Sequence, residues 1–532
     1  MKVDTLFYNG KFFISPLERK TVNWLAVKRG RVCAFGQGVP DPSLLVQGQS
    51  IDLENKRVVP GLIDSHVHLL NMGLRRLQVD VSSCTHTKEL IQTLKKRVYQ
   101  KNKNRSQPAL WIEAYGCDTE KFEASDRIDA RVLDQVSRSI PVIVRRVDEH
   151  AMFVNSAVIR TARLNQTDFN LPGGLIERDD HGYPTGVLID RAMDTVLRLK
   201  PKPSIETIGT ALTEASHIFL EAGITSVHDM SMERIPLEVL AKMFRAGEYN
   251  LRVYAALYGE DAFEVFSEPK SHMFDYGLAV RAKKIFIDGA LGSRGAWLSK
   301  PYNDDPSWSG THRYDEKKLI ELIQRAVRKR FQLIFHVLGD EASRWVLNIL
   351  KTNFDPKDIV QRRFRFEHLE VFDPECAPDM RTFGIIASMQ PWHALSDGPW
   401  IEKRLGKERF YQVSRLKGIL SNGIRLCGGS DAPIEPHDPM KGMYAAVTRR
   451  PLSGKRDWLF EHKINLIEAI KMYTTEAAYA EFSEMDKGTL EIGKLADMAV
   501  LSDDIFHIHP RELIHVTADM TIVGGGVVFA KE

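Results

Sequence analysis

Short apolar segments alternate with longer amphipathic stretches through the middle of the chain. The apolar segments have the length of β-strands, and the stretches between them show helical spacing of their apolar residues. This alternation predicts βα units and a parallel sheet, and eight units favour a closed (β/α)8 barrel. The predicted strands are residues 58–68, 224–229, 252–257, 284–288, 332–336, 363–368, 385–390 and 424–430, with helices at 87–99, 206–222, 315–329, 342–350 and 408–421.

Both ends of the chain have a different pattern. Short apolar segments separated by turn residues, with almost no helical periodicity, predict strands and turns there. We therefore expect a small β-sandwich domain built from residues 1–58 and 486–532 around a barrel domain of residues 59–485. About 155 residues separate the first two predicted strands, more than a crossover needs, so residues 103–200 are predicted to form an inserted subdomain.

Composition and charge exclude several classes of protein. Among 532 residues, 73 basic and 70 acidic side chains give a net charge of +3, which offers no electrostatic reason to expect a nucleic-acid or membrane partner. The five cysteines are scattered and show no Cys-x-x-Cys spacing, which favours a reducing compartment. No signal peptide or membrane-spanning run is evident. We expect a soluble, cytoplasmic protein that acts on a small molecule, with a homodimer as the default assembly on symmetry grounds.

Histidines and acids fall where the predicted strands end. The carboxyl ends of barrel strands converge on one mouth, so side chains far apart in sequence meet there. Two of the histidines, spaced i, i+2 at the end of the first strand, project from the same face of an extended chain. The predicted metal ligands at strand ends are His66, His68, His336, His368 and Asp431. Lys284, at the start of the fourth predicted strand, fits a metal site only if its amine is carbamylated, and spacing does not show that step.

Imidazole and carboxylate ligands suit zinc, manganese, iron or nickel, and we expect zinc. Four histidines and one aspartate exceed the needs of one tetrahedral ion, so the pattern predicts one or two ions. Such an ion lowers the pKa of water to about 7 and polarises a carbonyl group. Asp431 is then the predicted catalytic residue, which carries a proton from the attacking water to the leaving group. His393, which follows the seventh predicted strand, is a second catalytic candidate that stabilises the developing oxyanion.

Several motifs resemble a known family. Residues 60–68, Pro-Gly-Leu-Ile-Asp-Ser-His-Val-His, resemble the opening signature of the amidohydrolase superfamily, and residues 428–433, Gly-Gly-Ser-Asp-Ala-Pro, resemble its closing aspartate motif. Residues 488–497 are similar to the return into the small β domain of the superfamily. Residues 146–150, 154–156, 288–294, 336–340 and 367–368 resemble the branch that includes N-substituted formamide deformylases.

This resemblance implies a barrel with a composite β-sandwich, a one- or two-metal centre, and hydrolysis. It also implies that Lys284 is carbamylated and bridges the ions. The expected reaction is cleavage of a C–N bond in an amide-type compound, with N-substituted formamides or other N-acyl compounds as candidates. Candidate substrate-binding residues are His150, Asp288 and Trp297, although His150 and the nearby Asn155 suit a local capping or core role equally well.

Two other functions remain open at this point. The same metal site serves ester hydrolysis, deamination or decarboxylation in principle, because function depends on the site and not on the fold. A scaffold that kept the barrel and lost catalysis is the alternative from a different class. All the expected ligand positions carry metal-competent residues, which counts against the scaffold.

Overall fold

A computed structural model describes residues 2–18, 20–41, 44, 48–103, 111–123, 126–146, 151–166, 174–190, 192–259, 262–452 and 459–531. The chain divides into two compact units. Met1–Met72 and Leu212–Glu532 form the first unit, and Gly73–Ala211 form the second. The second unit begins and ends outside the segment 103–200 that the sequence predicts as an insertion.

The first unit contains an eight-stranded parallel barrel in which each strand pairs with its neighbours in chain order. The sheet is nearly closed, since a parallel bridge joins Val67, at the end of the first strand, to Ala432 after the eighth. Two backbone hydrogen bonds reinforce this seam, from His68 N to the Ala432 carbonyl at 2.8 Å and from Asp431 N to the His66 carbonyl at 2.7 Å. The barrel strands are Leu62–Val67, Ile224–Met232, Arg252–Leu257, Leu278–Phe286, Gln332–Val337, Arg365–His368, Ile386–Met389 and Leu426–Gly428.

Three predicted elements differ most from the structure. The predicted strand 58–68 is two strands, Arg57–Pro60 and Leu62–Val67, which separate at Gly61, where a Cβ would lie 2.2 Å from Thr225 Oγ1. The fourth strand begins at Leu278, so Lys284 lies near its end and not at its start. The predicted helix 408–421 is a 3-10 turn, Phe410–Gln412, and a shorter helix, Leu416–Ser421, because Ser414 between them has a φ of +48°.

A β-sandwich in the same unit draws on both ends of the chain. Met498–Leu501 pairs antiparallel with Arg57–Pro60, so a C-terminal strand and an N-terminal strand lie side by side in one sheet. The two sheets share a core of buried side chains that includes Phe7, Phe12 and Met498. In sheet order the strands are Arg31–Gly36, Trp24–Lys28, Thr5–Tyr8 and Gln49–Asp52 in one sheet, and Gly526–Ala530, Ala518–Val523, Met498–Leu501, Arg57–Pro60, Lys11–Ser15 and Lys20–Val22 in the other.

The second unit is built on a mixed six-stranded sheet with its own apolar cores. In sheet order its strands are Gly174–Arg178, Pro184–Asp190, Ala151–Val154, Val142–Arg146, Ile112–Cys117 and Val79–Asp80. Asn155 caps the helix Ser156–Thr161, and its side chain accepts hydrogen bonds from Val158 N and Val142 N. The sequence left open a capping role for this residue, and the structure shows it.

Helices follow most of the barrel strands. Asp315 and Asp438 cap the helices that follow them, through side-chain oxygens that accept backbone N–H groups of the first turn. No helix in the described part of the chain is long and apolar enough to cross a membrane. The helices are Leu69–Arg76, Thr87–Lys103, Ala130–Asp134, Ser156–Thr161, Asp194–Leu197, Ile205–Glu221, Arg234–Ala246, Ala262–Val265, Glu316–Lys329, Asp340–Asn353, Pro356–Val360, Ala377–Thr382, His393–Ser396, Gly398–Leu405, Leu416–Ser421, Pro439–Thr448, Leu466–Met472 and Thr475–Ala480.

Candidate metal centre

The carboxyl ends of the barrel strands bring the predicted histidines and Asp431 together. The His66 and His368 ring centroids lie 4.7 Å apart, and those of His336 and His368 lie 4.6 Å apart. Asp431 Oδ1 lies 3.4 Å from His66 Nε2 and 3.2 Å from His68 Nε2. One ligand atom from each of His66, His368 and Asp431 lies within 4.8 Å of the other two. These residues therefore form a site that can hold a metal ion.

Hydrogen bonds orient three of the four histidine rings. The Nδ1 atom of His66 lies 2.6 Å from Glu367 Oε2, that of His68 lies 2.9 Å from Ser231 Oγ, and that of His368 lies 2.8 Å from Gln390 Oε1. Each Nδ1 atom is thus engaged with a neighbouring oxygen, and each Nε2 atom is left for a ligand. This is the arrangement found around metal-binding histidines, in which the outer partner sets the tautomer and the ring orientation.

Two of the converging residues have an unusual backbone conformation. The φ angles are +71° for His368 and +62° for Asp431, in the left-handed region that non-glycine residues rarely adopt. The strand carrying His368 ends at this residue. Strained positions of this kind are concentrated at functional sites, where the surrounding structure holds them in place.

The ionisation of the site follows from burial and mutual proximity. Burial opposes the charge on Asp431, but His66, His68 and His368 outweigh it and hold the pKa of this carboxyl well below its usual range. Burial lowers the pKa of His66 to about 4, with Lys284 adding to the effect. It also lowers the pKa values of His336 and His368 well below the ordinary value. The rings of His66, His336 and His368 are consequently neutral at pH 7, as metal ligation requires.

Lys284 lies inside the barrel, with only 3% of its surface exposed. Burial lowers its pKa to about 8, against the opposing effect of the Glu367 and Asp431 carboxylates. Its Nζ atom has no hydrogen-bond partner among the residues that the structure describes. Three further buried atoms also lack a hydrogen-bond partner among the described residues: His66 Nε2, His393 Nε2 and Asp431 Oδ1. Buried polar atoms are normally paired, and four unpaired ones in one cluster fit the binding of a cation by imidazole and carboxylate groups.

His393 lies beside this cluster. Its ring is parallel to that of His368, at a centroid distance of 6.2 Å, and its Nε2 atom is 3.9 Å from Asp431 Oδ2. Two carboxyl groups, those of Asp397 and Glu435, interact electrostatically with it. Burial raises the pKa of Glu370 well above its usual range, and a hydrogen bond with Asp397 adds to this shift. Burial also raises the pKa of Glu435, which accepts a hydrogen bond from Ser396 Oγ at 2.5 Å.

The predicted substrate-binding residues have different surroundings. The Asp288 carboxylate accepts hydrogen bonds from the backbone N–H groups of Leu338, Gly339 and Trp297 at 2.9–3.0 Å, so it connects the segments that follow the fourth and fifth strands. The Trp297 ring packs against His312 and Trp345, with centroid distances of 4.7 and 5.7 Å. Contact of Asp288 and Trp297 with a substrate stays a prediction. His150 lies outside the described residues.

Three residues that support the histidines were not among the predicted site residues. Glu367, Ser231 and Gln390 bind the Nδ1 atoms described above. Each is a polar residue at or next to the end of a barrel strand. The rule that identified the histidines, polar side chains at converging strand ends, therefore contains the signal for these residues as well.

Comparison with known proteins places the chain in a family. The model of the amidohydrolase family matches residues 49–529. The chain belongs to this family. This amidohydrolase is 33% identical over 492 residues to the putative amidohydrolase YtcJ of Bacillus subtilis (strain 168), a match that covers 91% of each chain. It is 25% identical over 513 residues to an N-substituted formamide deformylase of Arthrobacter pascens, covering 92% of this chain and 90% of the relative.

A solved structure agrees with this assignment. An uncharacterised metal-dependent hydrolase from Pyrococcus horikoshii OT3 superposes with a TM-score of 0.80 at 26% identity, covering 95% of this chain and 99% of that one. The resemblance that the motifs indicated is therefore confirmed at the level of the family and the barrel fold. The amidohydrolase is a metal-dependent hydrolase, with a candidate ligand set of His66, His368 and Asp431.

Proposed function

We propose that this amidohydrolase cleaves the C–N bond of a small amide-type compound, with N-substituted formamides and other N-acyl amines as the candidate substrates. The observation that carries the proposal is the convergence of His66, His368 and Asp431, whose ligand atoms lie within 4.8 Å of one another at the barrel mouth. The similarity to an N-substituted formamide deformylase along almost the whole chain supports the choice of substrate class.

In this proposal the metal is a divalent ion, zinc by preference, held by His66, His68, His336, His368 and Asp431. When bound, such an ion supplies Lewis acidity that makes water acidic near neutral pH and polarises a carbonyl group. Lys284 is buried and has no hydrogen-bond partner in the described part of the chain. Its neutral amine is proposed to add to carbon dioxide, forming an N–C bond with release of one proton, and to join the ligand set as a carbamate.

The remaining chemistry belongs to the side chains. Asp431 accepts a proton from the attacking water and delivers it to the nitrogen as the C–N bond breaks and the new C–O bond forms. His393 lies beside Asp431, with its Nε2 atom 3.9 Å from Asp431 Oδ2. This atom has no hydrogen-bond partner among the described residues, which supports the proposal that His393 donates to the carbonyl oxygen as negative charge develops there.

The test combines metal analysis with turnover of defined substrates. Protein purified without added metal or chelator is analysed for metal content and assayed on N-formyl and N-acyl amines, with matching esters in the same panel. The Asp431→Asn variant is expected to lose turnover. Asp438→Asn is the matched control, because Asp438 caps a helix and asparagine caps equally well. The carbamate on Lys284 is tested by ¹³C NMR in ¹³C-bicarbonate.

Metal in the wild-type protein, amide turnover, and its loss only in Asp431→Asn would support the proposal. Turnover of the esters but not of the amides would show that the enzyme cleaves an ester bond and not the proposed C–N bond. A folded protein that takes up no divalent ion would refute the metal-dependent reaction altogether.

A further inference from the structure

A chain of buried polar side chains runs from His66 into the barrel interior. Its first link is the contact of 2.6 Å between His66 Nδ1 and Glu367 Oε2. The second is a two-point contact, in which Arg365 Nε donates to Glu367 Oε1 at 2.8 Å and Arg365 Nη2 donates to Glu367 Oε2 at 3.2 Å. All three residues have 0% relative exposure, so water does not screen or replace these bonds.

Arg365 is held from several strands at once. Its Nη2 atom donates to the Ser65 carbonyl at 2.7 Å and to Ser388 Oγ at 2.9 Å, and its Nη1 atom lies 2.8 Å from His228 Nδ1. These partners belong to the first, seventh and second barrel strands, while Arg365 itself lies in the sixth. The guanidinium group is a rigid planar fork. Contacts with three other strands therefore fix the position of the Arg365 guanidinium, which in turn holds Glu367.

Each charged side chain in this series is paired with one of opposite charge. The Arg365 cation neutralises the Glu367 anion, and beyond His228 the Lys487 cation lies 2.6 Å from Glu481 Oε1. His228 Nε2 is 3.5 Å from Glu481 Oε2, so the imidazole connects the two ion pairs. A buried carboxylate needs both a countercharge and hydrogen bonds to stay ionised. Glu367 has both, and it can therefore accept from His66 Nδ1–H as a full anion.

We propose that Arg365 is a positioning residue for divalent-cation binding: by holding the Glu367 carboxylate, it orients His66 so that Nε2 faces Asp431 and His368. The inference rests on the proposed metal-dependent function. Arg365 touches neither metal nor substrate, so its effect on cation affinity passes through Glu367 and His66. The Arg365–Glu367 pair also explains why two charged residues occupy a strand whose four positions, Arg365–His368, are all buried.

The experiment measures cation binding in the full chain. Metal-free protein is titrated with Co²⁺ in competition with a chelating dye, and the visible absorption of bound Co²⁺ reports the ligand geometry. Removing an outer partner of a metal-binding histidine typically weakens affinity by about 10- to 100-fold. Glu367→Gln is expected to show a loss of this size together with a changed spectrum. Arg365→Met should lose at least as much, and Arg365→Lys, which keeps the charge, should recover part of the loss.

Tyr254→Phe is the matched control. Tyr254 is fully buried in the barrel interior, its hydroxyl donates to Gln332 Oε1 at 2.8 Å, and its ring packs 5.1 Å from that of His228. The substitution removes a buried hydrogen bond without touching Glu367 or Arg365. Thermal unfolding of the metal-free proteins is recorded in parallel, so a loss of stability is separated from a loss of affinity. If Arg365→Met does not fold, Glu367→Gln and Arg365→Lys decide the question.

Weaker Co²⁺ binding in Glu367→Gln and Arg365→Lys, with normal binding in Tyr254→Phe, supports the inference. Wild-type affinity and spectrum in the first two variants, with only their stability reduced, overturn it and leave the proposed function standing. Failure of the wild-type protein itself to bind Co²⁺ overturns both.

Discussion

Gly429 directly follows the eighth barrel strand and lies against the backbone of His66. A single methyl group there tests whether the metal centre depends on this contact. A Cβ at position 429 would lie 2.5 Å from His66 N and 2.7 Å from Asp64 Oδ1. The same Asp64 oxygen accepts hydrogen bonds from His66 N and Ser430 N, both at 3.0 Å. Backbone and buried carboxylate surround the methyl group, so no flexible side chain can move aside.

The expected effect of Gly429→Ala follows from these distances. Ordinary van der Waals contact of a Cβ begins at 3.4 Å, so the segment carrying His66 must move by roughly 1 Å. Inserting a methyl group into a packed site costs about 1–3 kcal/mol. Metal ligands tolerate displacements of only about 0.2 Å. We therefore expect Co²⁺ affinity to fall by at least about tenfold, the range seen when the support of a ligand is lost.

The assay is urea unfolding of the metal-free protein combined with Co²⁺ titration. Gly292→Ala is the matched control, because a Cβ at position 292 would lie 3.4 Å from the Trp400 ring and meet nothing closer. This control should keep both stability and affinity. A Gly429→Ala protein with wild-type affinity for Co²⁺ would show that the contact with His66 does not shape the metal centre.

Two further predictions concern buried ion pairs. Arg252 Nε and Nη2 donate to the two Asp497 oxygens at 2.7 and 3.0 Å, so Arg252→Met leaves a buried carboxylate unpaired and should cost about 3–5 kcal/mol in urea unfolding. The double variant Arg252→Met/Asp497→Leu should recover most of the lost free energy of unfolding. An Arg252→Met protein as stable as wild type would show that the buried Asp497 carboxylate does not need this partner. Burial opposes the charge on Glu481, but Lys487 and His228 outweigh it and lower the pKa to about 2 from an ordinary 4.5. The stability that Glu481 contributes is therefore fully present above pH 4.5 and is lost as the pH falls toward 2. The difference in unfolding midpoint between wild type and Glu481→Gln should shrink between pH 7 and pH 3, and a constant difference would refute this assignment.

The sequence predicted much of the candidate site because the barrel imposes a simple rule. Side chains at the ends of parallel strands meet at one mouth, so His66, His336, His368 and Asp431 were identified by their places in the βα pattern. The rule was applied to residues that bind metals and not to other polar residues. Ser231 and Gln390, which orient two of the rings, were therefore overlooked although they lie at strand ends.

Local pattern was a weaker guide to where elements begin and end. Gly61 separates two strands that read as one continuous apolar run, because the first belongs to the sandwich and the second to the barrel. The backbone turn at Ser414 divides an amphipathic stretch that otherwise suits a helix. Gly61 lies against Thr225, and Ser414 N donates to the Glu370 carbonyl at 2.8 Å. In both places a contact with a distant segment outweighs the local preference, and sequence spacing does not record such contacts.

By itself, the sequence determined the class of fold, the alternation of strands and helices, and the strand-end positions of the converging histidines and Asp431, because periodicity and strand-end position are local properties. Only the tertiary structure decided which charges neutralise one another inside the barrel. The link from His66 through Glu367 to Arg365 and His228 joins residues up to 301 positions apart. Its strength depends on the exclusion of water, which is a property of the folded barrel and of no segment alone.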